Sequence, residues 1–170
     1  RVMWNKNTPY EESIRVPMAI RGPAIPYGLI AKGFALNIDL APTILELAGA
    51  DIPATVDGRS LSPIWKAPKF ETPSNWRHRF LVEHFSPTAS GVNQINKDPY
   101  FLEYASIRDE KSMFTIYDYG DRESYSMDTD PYQLNNTVAD WSADQAITAA
   151  ALLNEMKQCA GNLCRSIENR

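Results

Sequence analysis

Apolar and polar positions divide this chain into short blocks. Residues 14–21, Ile-Arg-Val-Pro-Met-Ala-Ile-Arg, are mostly apolar and predict a strand. Pro17 has to sit at its start or on an edge, because it cannot donate to a ladder. Gly22-Pro23 ends the block, and Pro23, Pro26 and Gly28 mark a loop. Residues 39–48 predict a helix. Asp39 is placed as N-cap, Pro42 falls in the first turn, Ile44, Leu45, Leu47 and Ala48 form an apolar face, and Gly49 is the stop. From 51 to 78 the chain is rich in Pro, Lys and Ser, which predicts a connector with one helical turn near Leu61–Trp65. Phe80–Phe85 reads as a strand, and the polar stretch 86–99 as a loop.

The pattern then becomes antiparallel. Tyr104–Arg108 and Met113–Tyr119 flank a polar four-residue turn, Asp109-Glu110-Lys111-Ser112, and predict a hairpin. Gly120-Asp121 makes a second turn, and Glu123–Met127 a third strand. The last block is helical. Ser142-Ala-Asp-Gln145 has the spacing of a capping box, and Trp141 is placed to staple against Ala146. Helix formers continue to Gln158, with Ile147, Ala150, Ala151 and Met156 on one face. Strand, helix, meander and helix in this order predict an α/β chain in two sub-blocks.

Composition narrows the function classes. The 170 residues carry a net charge of −4, with 44% hydrophobic and 22% charged residues. These are globular values. An acidic chain does not fit a nucleic-acid partner, which needs a basic face. No apolar run reaches the roughly 20 residues of a membrane span. The chain starts at Arg1 and is patterned from its first residues, so it is read as a fragment or a processed chain; a chain trimmed to a domain boundary is the alternative. Cys159 and Cys164 are too few for a zinc site, and His78 and His84 are not spaced to complete one, so a short disulfide loop is expected. That pairing points to an oxidising compartment. Asn135-Asn136-Thr137 is a glycosylation sequon and adds weakly to that reading; Asn7-Thr8-Pro9 is not one.

Four segments in order resemble the formylglycine-dependent sulfatases of the alkaline-phosphatase-like superfamily. They are Lys6-Asn-Thr-Pro-Tyr-Glu-Glu-Ser-Ile-Arg-Val-Pro17, Asn37-Ile-Asp-Leu-Ala-Pro-Thr-Ile-Leu45, Asp57-Gly-Arg-Ser-Leu61, and Tyr125–Asn136 with Asp128, Asp130-Pro131 and Asn136. Departures from the family pattern are Asn5 for Gly, Ser126-Met127 for Asp-Leu, and Gln133 for Glu. The resemblance covers essentially the whole chain.

It implies a fold, and a division of labour. The fold class is α/β, the C-terminal part of an alkaline-phosphatase-like sulfatase fold with a small antiparallel sheet and C-terminal helix. Residues 1–50 would end the large domain, with the strand at 14–21 buried in a parallel sheet. Residues 51–75 would connect, and 76–170 form a C-terminal subdomain. The family's nucleophile lies in Cys/Ser-x-Pro-x-Arg, which neither Cys159 nor Cys164 matches. The resemblance places the nucleophile, the calcium (Ca2+) ligands and a Gly-x-His segment upstream of Lys6. No cofactor is expected on this chain alone, and the isolated chain is expected to be inactive.

The resemblance implies a sulfate contact for Lys6, whose ammonium can donate to sulfate oxygens and offset their charge. Tyr10 and Glu11 are expected to fix the loop that carries it, and Arg15 is given no chemistry. His84, at a strand end before a long loop, is a second substrate-contact candidate. His78 reads as surface, Trp76 and Trp141 as packing, and Tyr117, Tyr119, Tyr125 and Tyr132 as core and edge of the meander. The implied partners are a sulfate-ester substrate, on a sugar or an aryl alcohol, and the remainder of the same enzyme. The implied location is extracytoplasmic: secreted, periplasmic or lysosomal. Two other readings stay open. One is a fragment of a phosphoester or phosphonate-ester hydrolase; the other is a non-catalytic module that binds carbohydrate or a partner chain.

Overall fold

The computed structural model describes residues 7–67, 71–85 and 103–170. Its elements are α1 (Glu11–Ile14), α2 (Leu40–Leu47), α3 (Ser62–Lys66), β1 (Arg79–His84), β2 (Tyr104–Asp109), β3 (Ser112–Tyr117), β4 (Arg122–Ser126), α4 (Ala143–Gln158) and α5 (Asn162–Glu168). The chain divides into two compact units. The first holds 1–17 and 80–157, and the second 18–79 and 158–170.

In the first unit the four strands form one sheet in the order β1-β2-β3-β4. The hairpin lies where the polar turn predicts it. Asp109 closes the turn by accepting the backbone N–H groups of Lys111 (2.9 Å) and Ser112 (2.7 Å). Gly120 supplies the next turn, at φ +97°, a conformation that costs a residue without Cβ little. Helix α4 starts at the expected capping box. Gln145 Oε1 accepts the Ser142 N–H (2.9 Å), and Ser142 Oγ accepts the Gln145 N–H (3.2 Å). Its inward face differs from the expected one. Leu153 and Met156 are buried, whereas Ile147 is exposed. Positions 146, 149, 150 and 153 are the more covered ones, a spacing of three and four that leaves 147 on the outer side. Trp141, expected to staple, stacks on Phe114 of β3 with ring centroids 5.1 Å apart.

The block at 14–21 is not a strand. Its first residue ends α1, and 15–21 carry no regular element and no ladder partner among the described residues. A strand needs an adjacent edge to bond to; apolar composition alone does not provide one.

The second unit is built around ions. α2 follows a single 3-10 turn at Asn37–Asp39. Gly49, at φ +69°, ends it in a Schellman arrangement: the Gly49 N–H bonds to Glu46 O and the Ala50 N–H to Leu45 O. Asp39 does not cap α2 with its side chain. Its carboxylate instead accepts the N–H groups of Leu36 (2.8 Å) and Arg59 (2.9 Å) and a two-pronged pair from Arg77. Both charged side chains are 0% exposed. Glu168 of α5 bonds Arg77 Nε at 3.1 Å and also pairs with Arg59. Burial pulls the Arg77 guanidinium down, but its bonds and charges with Asp39 and Glu168 outweigh that and leave it raised. The second unit's apolar cluster of Leu61, Ile64, Trp65 and Trp76 is small. The expected apolar face of α2 points outward, with Ile44 and Leu47 exposed, while Pro42 and Thr43 are buried.

Helix α5 has no counterpart in the sequence reading. Cys159 and Cys164 are disulfide-bonded, Cα atoms 5.0 Å apart. Between them Gly161, at φ +57°, turns the chain, and its N–H bonds to Asp57.

Two consequences can be measured. Arg77→Ala leaves the Asp39 carboxylate buried without its cation, and should cost about 3–5 kcal/mol in chemical unfolding of the intact protein. Arg77→Lys should recover only part, because an ammonium cannot reproduce the fork. Glu46 supplies a pH test. Hydrogen bonds from Ser60, Ser62 and Lys66 hold its carboxyl down at about 2, below the usual 4.5. A lowered folded-state value means that its stabilisation is complete above pH 4.5 and is lost as the pH falls towards 2. The side chain is 35% exposed, so solvent screening keeps the effect small. Glu46→Gln should flatten the stability profile across that window.

Candidate functional site

Strand alternation places one set of side chains on a single face of the sheet. The register pairs Tyr104 with Tyr117, Ser106 with Thr115 and Arg108 with Met113. It pairs Met113 with Tyr125 and Thr115 with Glu123. With a side-chain period of two, these residues share a face. The segment after Lys6 lies over that face and is held at several points. Tyr10 is buried, and its hydroxyl donates to both Glu123 oxygens, at 3.1 and 3.0 Å. Its ring meets Tyr125 edge-on, centroids 6.1 Å apart. The backbone N–H of Glu11 donates to Gln133 Oε1 at 2.7 Å, and its carboxylate pairs with Arg108 Nε at 2.7 Å.

Gln133 is fully buried and sits at φ +52°, a left-handed turn conformation. Its amide nitrogen donates to the Met113 sulfur at 3.0 Å. Tyr117 sends a second phenol to Glu123 at 3.0 Å. Burial first, then the Glu123 charge, pushes the Tyr117 hydroxyl well up, so it remains a donor at any ordinary pH. Lys6 itself lies outside the described residues. What is visible is the segment that follows it: from Tyr10 on, the chain is clamped to two strands, β2 and β4, and to the turn at Gln133.

His84 ends β1, half-buried, with its ring stacked on Tyr104 at 5.7 Å. Both line a cavity of about 240 Å³ at one end of the sheet, together with Glu83, Asp118, Asn154 and Lys157. Burial pushes the Tyr104 hydroxyl up to about 12. Among the described residues no group of three or more His, Cys, Asp or Glu side chains is arranged to hold a metal ion. The described residues therefore do not supply a carboxylate-rich calcium site.

Residues 2–161 match the family described as N-sulphoglucosamine sulphohydrolase, C-terminal. The chain belongs to that sulfatase family. It is 31% identical to the N-acetylglucosamine-6-sulfatase of Homo sapiens, over 95% of this chain and 33% of that protein. It is 30% identical to the N-acetylglucosamine-6-O-sulfatase of Bacteroides thetaiotaomicron, over 94% of this chain and 28% of that one. A phosphonate monoester hydrolase from Silicibacter pomeroyi superposes with a TM-score of 0.69 at 27% identity, covering 91% of this chain and 30% of its own. A protein solved with its substrate D-glucosamine-2-N,6-O-disulfate superposes at 0.60 with 25% identity, covering 75% and 25%. The chain thus spans about a third of the length of these sulfatase relatives. The fold is the C-terminal part of the alkaline-phosphatase-like sulfatase fold.

The sulfatase motifs that carried the resemblance have structural work. In the tail motif, Asp130 closes a turn by accepting the N–H groups of Leu134 (3.0 Å) and Asn135 (2.9 Å). Asn136 bonds the backbone of Ser124, Val138 and Arg122. In Asp57-Gly-Arg-Ser-Leu61, a Cβ on Gly58 would fall 2.0 Å from Ile38 O, so only glycine fits. Sequence reasoning missed Glu123, Arg108 and Arg77, because each partner lies far along the chain. The Asp-Gly-Arg motif was the one available hint of an ion cluster.

The clamp on the Lys6 segment can be tested by itself. Arg108→Leu removes a charge-assisted bond to Glu11, with an expected cost of about 1.5–3 kcal/mol. Hydrogen exchange should accelerate at the amides of residues 10–14 before it does so in β3.

Proposed function

We propose that this chain is the C-terminal portion of a sulfatase that hydrolyses a sulfate monoester of a sugar, and that Lys6 contacts the transferred sulfate in the intact enzyme. The observation that carries the reading is the clamp. Tyr10 and Glu11, four and five residues after Lys6, are bound to Glu123, Gln133 and Arg108. A rigid support of this kind holds a short loop so that an ammonium stays at a fixed place, as electrostatic stabilisation requires. The hexosamine sulfates named for its relatives favour a 6-sulfated glucosamine as substrate.

In this reading residues 1–50 end the large domain, 51–75 connect, and 76–170 form the subdomain that helps shape the substrate pocket. His84, at the rim of its cavity, contacts the sugar rather than the sulfate. The formylglycine nucleophile and the calcium ligands belong to the rest of the enzyme, which would leave this chain inactive alone. The Cys159–Cys164 disulfide and the extracellular sulfatases among the relatives support an extracytoplasmic location.

The likeness to phosphonate monoester hydrolases favours one second reading, in which the intact enzyme prefers a phosphonate or phosphate ester. Steady-state kinetics of the full-length enzyme on paired sulfate and phosphonate esters separates the two. The sulfatase reading expects the higher kcat/KM on the sulfate. Lys6→Ala should then lower kcat by about 10²–10³-fold, the usual cost of one transition-state donor. A kcat within a few-fold of the wild type would remove Lys6 from the site.

A further inference from the structure

The tail turn holds two adjacent asparagines with opposite duties. The Asn136 carboxamide is fully engaged: its oxygen accepts the N–H groups of Ser124 (3.0 Å) and Val138 (3.1 Å), and its nitrogen donates to Arg122 O (3.0 Å). Asn135 is exposed, and only its backbone N–H is used, by Asp130. Among the described residues its carboxamide makes no hydrogen bond. Asn135 also opens Asn135-Asn136-Thr137, which is the single Asn-x-Ser/Thr triplet in the sequence.

The surroundings suit a covalent attachment. Asp130 and Asn136 pin the turn from both sides, so a group attached at Asn135 would not disturb the sheet. Tyr132 and Leu134, just before it, are 69% and 68% exposed. The apolar face of a sugar ring could cover such side chains. Thr137 donates to Ser124 O at 3.1 Å once the chain is folded. Its hydroxyl is available to a modifying enzyme only before that bond forms, on the nascent chain. The Cys159–Cys164 disulfide independently points to a compartment where such chemistry runs.

We propose that Asn135 is an N-glycosylation acceptor, modified from a lipid-pyrophosphate-linked oligosaccharide as the chain enters a secretory pathway. The Asn135 amide nitrogen forms a bond to the anomeric carbon of the reducing-end sugar. The bond between that carbon and the pyrophosphate oxygen breaks, and the lipid pyrophosphate leaves with the electron pair. One amide proton is lost, and nothing is oxidised or reduced. The site goes beyond the sulfatase reading and shares with it only the extracytoplasmic location.

The test uses the full-length enzyme as its gene encodes it, expressed in a eukaryotic cell. Secreted protein is treated with an amide-cleaving glycosidase in heavy-oxygen water, and the peptide spanning 123–157 is sequenced by mass spectrometry. The expected result is conversion of Asn135 to heavy-labelled Asp. Asn135→Gln should remove that signal and the matching gel-mobility shift, with activity unchanged. Because the Asn135 side chain is exposed and makes no hydrogen bond among the described residues, this variant should still fold. Secreted protein with Asn135 bare overturns the site alone. Protein that never leaves the cytoplasm overturns both the site and the extracytoplasmic location, while leaving the sulfatase activity to be judged by its own kinetics.

Discussion

Arg77 is a cation with no exposed side-chain surface, and the second unit is organised by the need to match it. A buried guanidinium has lost its water and must find acceptors in the protein. Asp39 meets it with two oxygens and Glu168 with a third contact, so one side chain ties together the start of α2, the chain before β1 and the last helix. Arg59 joins the same group from a separate loop, and the Trp76 ring lies against both guanidinium groups at 5.4–5.5 Å. Burial, and then the neighbouring Arg77 charge, pull Arg59 down. The apolar cluster beside these ions comprises four buried residues, which makes the ionic matching the more demanding constraint. Such a centre specifies partners by geometry and charge as well as by size.

The first unit solves a different problem. Its sheet has a polar face, and the segment that follows Lys6 satisfies it. Two phenols converge on Glu123, and Gln133 reads a backbone N–H on one side and a thioether on the other. Each bond is modest by itself. Together they set the course of a chain segment whose neighbour carries the proposed sulfate contact. Here the family's motif acquires a physical meaning: the Tyr-Glu pair after the lysine is an anchor.

The tail motif and the Asp-Gly-Arg turn have the same character. Asp130, Asn136 and Gly58 are required by turns and close approaches of backbone. This is why the family can be recognised by sequence from residues that shape the backbone.

What the sequence determined by itself is local. The hairpin about Asp109–Ser112, the capping box at Ser142 and Gln145, the Gly49 stop and the helical turn near Ile64 all depend on residues within a turn or two of one another. The order of the family's segments was equally legible. The tertiary structure decided what depends on distant residues. The strand expected at 14–21 has no edge to join among the described residues, so its apolar pattern was not enough. The apolar face predicted for α2 points outward, because Asp39 and Thr43 on its other side are held by Arg77 and by the Leu61 N–H. Tyr10 finds Glu123 across 113 positions, and Arg77 finds Glu168 across 91. Periodicity reports which side of an element is apolar. Which charge will stand opposite a given residue depends on how the chain returns, and only the folded structure contains that.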